Sequence, residues 1–503
     1  MFRDYVVLLS WLCTVSCKEG YFWHIGDIHY DPTYSIQSNG DGSKCLNSRG
    51  SEESNGGGGG AGHSSRLNGR GSSGGLYGHY DCDSSWALVD SAAKAMKGIH
   101  LDSIEFILWT GDALARDEEM PLELRMQYLK NITDLLSHTF TGQFIFPVLG
   151  HDDVRLLNLS QIASLWSNWL PDEALVTLRE YGYYMIEQRS KNYQIISLNT
   201  NLWLSGYSSG ANVEARTGAS SGYQRSISNS AQAAASTDPD PGGQWKWLDS
   251  VLRNASKAGK IVYIVGHTPP GVDDRNTGFS GLSDEHNAHY LQVVRQYSNI
   301  IKGQFFGHWH SDTFRIVYDD NNQPVSWIMI SPSITPYRPG GPNNPGLRLY
   351  KFNIDSGEVL DYSQYYLNLA EANLGKRTNW RLEYNLREHY ELAEVSALSL
   401  HDLADRFTQP NNHAFSRYYK ANRVSLPRDI EEIWGCDRAL SGLCALRHFC
   451  AVTRLNQRSY DKCVATYTLV LTQTGAASDN TPDGRQLVFW AVVSSAATFF
   501  GAR

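Results

Sequence analysis

The sequence lacks any apolar run of the about 20 residues that a membrane-spanning helix needs. The apolar tail at 487–500 (LVFWAVVSSAATFF) is followed by only three residues, ending at Arg503. Positive charge is also short. Lys and Arg number 44 against 52 Asp and Glu, a net charge of −8 over 503 residues, so no basic footprint exists for a nucleic-acid polymer. An anionic substrate would need a local cation to hold it. The eight cysteines contain no C-x-x-C pair, which argues against a zinc knuckle.

What is present at the two ends points to export. Residues 1–17 combine Arg3, an apolar stretch over 5–15 and the small residues Thr14, Ser16 and Cys17, the layout of a secretory signal peptide. At the other end, Gly475, Ala476, Ala477 and Ser478 precede a polar spacer, 479–486, and then the apolar tail. That order matches a glycosylphosphatidylinositol-anchor signal over 475–503. The expected mature protein is extracellular, secreted or held at the cell surface by lipid. Without the leader, Cys45, Cys82, Cys436, Cys444, Cys450 and Cys463 remain, an even set that predicts disulfides in an exported chain. Sequons at Asn131, Asn158 and Asn254 predict glycosylation. Two stretches, 50–75 with five consecutive glycines and 205–243 rich in Ser, Ala and Gly, read as loop insertions, because they cannot bury enough apolar surface to offset their ordering entropy.

The central pattern recurs five times: an apolar, β-rich run ends in glycine, and aspartate or histidine follows directly. The instances are Gly26-Asp27-Ile28-His29, Gly111-Asp112, Gly150-His151-Asp152-Asp153, Gly266-His267 and Gly307-His308-Trp309-His310. Continuous apolar runs read as strands buried on both faces, and the helical patterns between several of them predict mixed α/β layering. Glycine is expected to let the backbone turn as each strand ends. Residues just past the carboxyl ends of neighbouring strands should converge on one rim of a sheet. A single Gly-His or Gly-Asp is usually an ordinary loop, but five together predict a metal site. Carboxylate and imidazole suit zinc, manganese or iron. Seven ligand-type groups exceed the need of one ion, so a two-metal centre with a shared carboxylate is expected. Such a pair is suited to phosphoester hydrolysis, with a histidine or carboxylate nearby to protonate the leaving alkoxide.

These motifs, in this order, resemble the calcineurin-like metallophosphoesterases, whose pattern runs D-x-H, G-D, G-N-H-D, G-H and G-H-x-H. Within them the chain is similar to the acid-sphingomyelinase-like phosphodiesterases, through HIGDIHYDPTY from His24, SLNTNLW from Ser197, GQFFGHWHSDTFR from Gly303, SPSITP from Ser331 and NNPGLRLY from Asn343. The resemblance implies an α/β (α+β) fold: a four-layer αββα sandwich over residues 18–375 and a small, disulfide-stapled helical region over 376–470. It implies two zinc ions, one held by Asp27, His29, Asp112 and His310, the other by Asp112, His267, His308 and the residue at the family's asparagine. It also implies the pairs Cys45–Cys82, Cys436–Cys444 and Cys450–Cys463. The saposin-like lipid-extracting domain that full acid sphingomyelinases carry ahead of the catalytic part is not expected here, since the first catalytic strand is read from Tyr21; this favours soluble nucleotide derivatives, with phospholipids such as sphingomyelin also candidates. A monomer is expected.

The chain departs from that pattern at Gly150-His151-Asp152-Asp153. Read as substitution, His151 replaces the metal-binding asparagine and Asp152 replaces the histidine that protonates the leaving group. Read as deletion, the asparagine is missing and His151 is that histidine displaced. A second departure places Arg116 near where the family carries a histidine; it either faces a substrate phosphate or starts a polar helix over 116–130. The expected function is therefore phosphodiester hydrolysis, with a catalytically impaired metal-binding surface protein as the competing reading.

Overall fold

The computed structural model describes residues 18–36, 43–46, 75–100, 104–156, 158–187, 192–204, 238–276, 280–409, 412–427 and 442–473. The leader 1–17, the anchor signal 475–503, Cys436, insertion 50–75 up to residue 74 and insertion 205–243 up to residue 237 lie outside the described residues.

The strands are β1 (Glu19–Ile25), the short pair β2 (Ser35–Ile36) and β3 (Ser43–Lys44), β4 (Ile104–Trp109), β5 (Phe144–Pro147), β6 (Tyr184–Glu187) and β7 (Tyr193–Ser197). Then come β8 (Ile261–Val265), β9 (Ile301–Phe306), β10 (Thr313–Tyr318), β11 (Pro324–Ile330), β12 (Gly346–Asn353), β13 (Val359–Tyr366) and β14 (Arg381–Asn385). Two six-stranded sheets result, ordered β14-β13-β12-β1-β4-β5 and β10-β11-β9-β8-β7-β6. The runs β1-β4-β5 and β7-β8-β9 are parallel. Parallel neighbours need crossovers, supplied here by the helices Trp86–Ile99, Leu122–Thr139, Gln244–Lys257 and Asp284–Gln296. Ser85 and Ser283 cap two of these by accepting from Leu88 N and His286 N, which satisfies donors that a helix start leaves open.

The sheets stack face to face on an aromatic core. Phe22 of β1 meets Phe305 of β9 edge-on at 5.4 Å, and Phe106 of β4 lies 6.1 Å from Tyr193 of β7. Leu248, Leu252, Tyr290 and Val294 of two crossover helices cover the outer face of the second sheet. Leu88, Leu129 and Ile132 join the main core from the other two. The expected αββα sandwich is the observed architecture. C-terminal helices Ala397–Arg406 and Gly442–Thr453 pack against β10 and β11, and Cys450–Cys463 joins the latter helix to Gln457–Gln473. Cys45 pairs with Cys82. Cys444 is disulfide-bonded; its expected partner, Cys436, lies outside the described residues. No helix among the described residues is long and apolar enough to cross a membrane.

Three local expectations change. The ligand-bearing strands do not share one sheet rim: β1, β4 and β5 belong to the first sheet and β8 and β9 to the second, so the ligand loops meet where matching ends of the two sheets come together. The polar helix begins at Leu122, not Arg116; Pro121, which lacks an N–H and would break a helix interior, stands just before it. The third change concerns the glycines. Gly111 has the left-handed φ expected (92°), but elsewhere it is the ligand residues that carry it: Asp27 at 50°, His29 at 43°, Asp112 at 52°, His308 at 69° and His310 at 52°. Gly150 serves close approach instead, since a Cβ there would sit 2.0 Å from Asp112 Oδ1.

Candidate metal centre

Each ligand loop is tied to its neighbour through the backbone. Asp27 N donates to Gly111 O and His29 N to Asp112 O, both at 3.0 Å, and Gly307 N donates to His267 O at 3.0 Å. Both oxygens of Asp27 accept from His308 N at 3.0 Å, which links the first sheet's loop to the second's. Asp153 closes the third side: its carboxylate accepts from Gly150 N (2.8 Å), Asp112 N (2.9 Å) and Ala113 N (3.1 Å). Burial and the nearby Asp112 charge push its carboxyl up to about 6.

These constraints bring all seven predicted ligands into two groups. One is Asp112, His151, His267 and His308; the other is Asp27, His29 and His310. Asp112 Oδ2 lies 2.6 Å from His151 Nδ1, 3.1 Å from His267 Nε2 and 3.5 Å from His29 Nε2, so it faces both groups. His308 Nδ1 and His151 Nδ1 lie 3.2 and 3.3 Å from His267 Nε2, and His310 Nε2 is 3.4 Å from Asp27 Oδ1. Two atoms each about 2.0–2.1 Å from a tetrahedral zinc stand about 3.3 Å apart; the spacings here lie between 3.1 and 3.5 Å except that of His151 Nδ1 from Asp112 Oδ2, which at 2.6 Å is a direct hydrogen-bond distance.

Hydrogen bonding decides how the rings present themselves. His267 Nδ1 lies 2.7 Å from the Thr110 carbonyl and His310 Nδ1 lies 3.0 Å from the Tyr337 carbonyl. Donation from Nδ1 leaves each Nε2 lone pair aimed at the centre, the usual support for a metal-bound imidazole. His29 Nε2 and Asp152 Oδ1 are buried with no hydrogen-bond partner, although buried polar atoms are nearly always paired. The charges make the same demand. Burial would raise the Asp112 carboxyl, but His151 and His267 hold it well below the usual range. Burial would lower His267, yet Asp112 and Asp27 push it up to about 10. Divalent cations would satisfy both the unpaired lone pairs and the buried negative charge.

Asp152 is buried at 4% exposure. Its backbone N donates to Asp112 Oδ1 at 3.0 Å, and its Oδ2 stands 3.4 Å from His151 Nε2. Arg116 is half-exposed and pairs with Glu118 through Nε at 3.1 Å. Of the sequon residues, Asn158 and Asn254 are exposed and Asn131 is partly buried.

Several supporting residues escaped the sequence reading. Asp83 approaches His29 Nδ1 at 4.0 Å and accepts from Thr335 Oγ1 at 3.0 Å. Asn201 Nδ2 holds the Leu149 and Gly150 carbonyls. Thr335 and Asn201 fall within SPSITP and SLNTNLW, so the motifs marked the segments without revealing what they grip.

Comparison with known proteins agrees with this arrangement. Residues 20–312 match the calcineurin-like phosphoesterase family, and residues 323–470 match the acid sphingomyelin phosphodiesterase C-terminal region. The chain is 33% identical to acid sphingomyelinase-like phosphodiesterase 3b of Homo sapiens, covering 91% of this chain and 94% of that protein. It is 31% identical to the cyclic GMP-AMP phosphodiesterase of Bos taurus (89% and 91% covered) and to sphingomyelinase phosphodiesterase C of Dictyostelium discoideum (88% and 94%). Motif order, stacked sheets and near-complete coverage lead to one assignment: the chain belongs to the acid sphingomyelinase-like phosphodiesterases, within the calcineurin-like phosphoesterases.

Proposed function

We propose that the protein is a secreted or lipid-anchored monomeric phosphodiesterase that uses two zinc ions to hydrolyse small phosphodiesters, either nucleotide derivatives or phospholipid headgroups. The observation that carries this reading is Asp112 Oδ2, which faces His151 and His267 on one side and His29 on the other. Relatives named for cyclic GMP-AMP and for sphingomyelin support the substrate class. The disulfides Cys45–Cys82 and Cys450–Cys463 support an oxidising, extracellular setting.

When bound, paired divalent ions supply Lewis acidity toward the phosphoryl oxygens and a nucleophilic water near neutral pH. The chain's own residues do the positioning. Thr110 O and Tyr337 O orient His267 and His310, Asp153 locks the Asp112 loop to Gly150, and Asp27 accepts from the His308 backbone so that both sheets hold one geometry. A second reading, metal-dependent binding with little turnover, is favoured by Asp152, which replaces the expected proton donor and is buried beside His151.

The test is hydrolysis of bis(4-nitrophenyl) phosphate and of 4-nitrophenyl phosphate, with added zinc and with chelator. The proposal expects diester cleavage to exceed monoester cleavage, to stop with chelator and to return with zinc. Binding of two ions with no cleavage of either substrate would establish the second reading.

A further inference from the structure

Read as substitution, the family pattern puts a proton-donating histidine where this chain has Asp152, yet the surroundings of Asp152 suit a different task. Among the described residues, three ligand atoms of His29, Asp112 and Asp152 come within 4.8 Å of one another. Two buried atoms of this group have no hydrogen-bond partner, His29 Nε2 and Asp152 Oδ1, while Asp112 Oδ2 stands 2.6 Å from His151 Nδ1. The three side chains are drawn together although their backbones leave three different strands of the first sheet.

We propose that Asp152 is a ligand of the ion that His29 binds, adding a third carboxylate to the centre alongside Asp27 and Asp112. Its two oxygens divide the work. Oδ2 faces His151 Nε2 at 3.4 Å and steadies that ring, whose Nδ1 points to Asp112. Oδ1, buried and unpaired, goes to the ion. The backbone makes the placement rigid, because Asp152 N donates to the other oxygen of Asp112. An isolated buried carboxylate is costly and coordination removes that cost, whereas a proton donor would have to keep its proton within reach of a leaving group. An Oδ1 committed to the ion is not available to a leaving group, so Asp152 anchors metal and does not protonate the leaving alkoxide.

This inference rests on the two-metal reading above, and the test separates them. The full mature chain is loaded with zinc, and affinities are measured by competition with a chromophoric chelator for the unaltered protein, Asp152→Ala and Asp152→Asn. The ion-free fold of each is checked by circular dichroism, and Asp152→Asn keeps the side-chain shape should the alanine variant not fold. One of two zinc ions should be held at least about 10-fold more weakly in the variants, a typical effect of disturbing a metal's support, with a smaller loss at the other, whose ligand His151 faces Asp152 Oδ2. In cobalt-loaded protein, loss of a ligand should intensify the visible bands of one ion, which a purely structural role of Asp152 would not do. Unchanged affinities with an unchanged cobalt spectrum would overturn the ligand assignment and leave the two-metal centre standing. Failure of the unaltered protein to retain any zinc would overturn both.

Discussion

His151 Nδ1 stands 2.6 Å from Asp112 Oδ2, and that same oxygen lies 3.5 Å from His29 Nε2, a member of the other ligand group. A single carboxylate atom shared in this way makes the two halves of the centre interdependent. Asp112→Ala is expected to remove both ions, measured as metal content after dialysis. Retention of two equivalents would show that the halves are separately held.

Gly150 carries no left-handed φ, so alanine there meets no backbone penalty. It meets a steric one: the added Cβ would lie 2.0 Å from Asp112 Oδ1 and 2.2 Å from Asp112 N. Gly150→Ala should leave the fold intact by circular dichroism and weaken zinc binding by about 10-fold or more, since a ligand moved by roughly 1 Å spoils a site. Unaltered zinc affinity would mean that the loop absorbs the methyl group elsewhere.

The altered motif should make turnover slow. General acid–base help is worth about 10²- to 10⁴-fold, and on the substitution reading the motif has lost the histidine that would give it. Changing His151→Asn and Asp152→His together should raise diester hydrolysis at saturating zinc by about 100-fold, while neither single change does so. High activity in the unaltered chain would contradict this.

A pH effect is expected outside the ligand set. His448, on the helix Gly442–Thr453, is buried among Phe415, Tyr418 and Tyr419, 3.5 Å from Asp274. Burial lowers its pKa to about 4; Asp274 opposes the shift, and Arg275, Arg315 and Arg338 add to it. The folded state thus prefers neutral His448, and the unfolded chain takes up a proton first, near 6.5. Stability from this group is complete above about pH 6.5 and falls away as pH drops to about 4, by about 3 kcal/mol at most. Urea unfolding at pH 7 and pH 4.5 should show the loss, and His448→Gln should flatten it. An equal slope in that variant would assign the effect to other groups.

Surface tethering is expected to be lipidic. Phosphatidylinositol-specific phospholipase C should release the protein from intact cells. Persistent anchoring with Arg503 still present by mass spectrometry would establish a peptide anchor instead.

The ligands were legible because of how their strands are buried. β4 and β8 and the later part of β1 lie between layers and so are written as apolar runs, while in β9 only Phe305 and Phe306 close the strand as apolar residues; Asp27, Asp112, His267 and His308 interrupt the pattern past their ends. Pairing was not legible. β12 lies antiparallel beside β1 although most of the chain separates them, and nothing local in Gly346–Asn353 names its neighbour. Asp83 was missed for the same reason: its relation to His29 exists only after the loop ahead of Trp86 folds back. The glycine pattern was read correctly as a signal and wrongly as a cause, because whether a missing Cβ frees φ or makes room depends on what stands opposite, here Asp112.

The left-handed backbones of Asp27, His29, Asp112, His308 and His310 have one more consequence. Non-glycine residues pay on the order of 1 kcal/mol or more each for that conformation, and here the hydrogen-bonded loops enforce it. Ions that bind the folded chain and not the unfolded one return stability by mass action. The concentration of divalent metal around the protein would then set how long it survives as well as how fast it works, and a metal-poor surrounding would shorten its lifetime before any substrate is met.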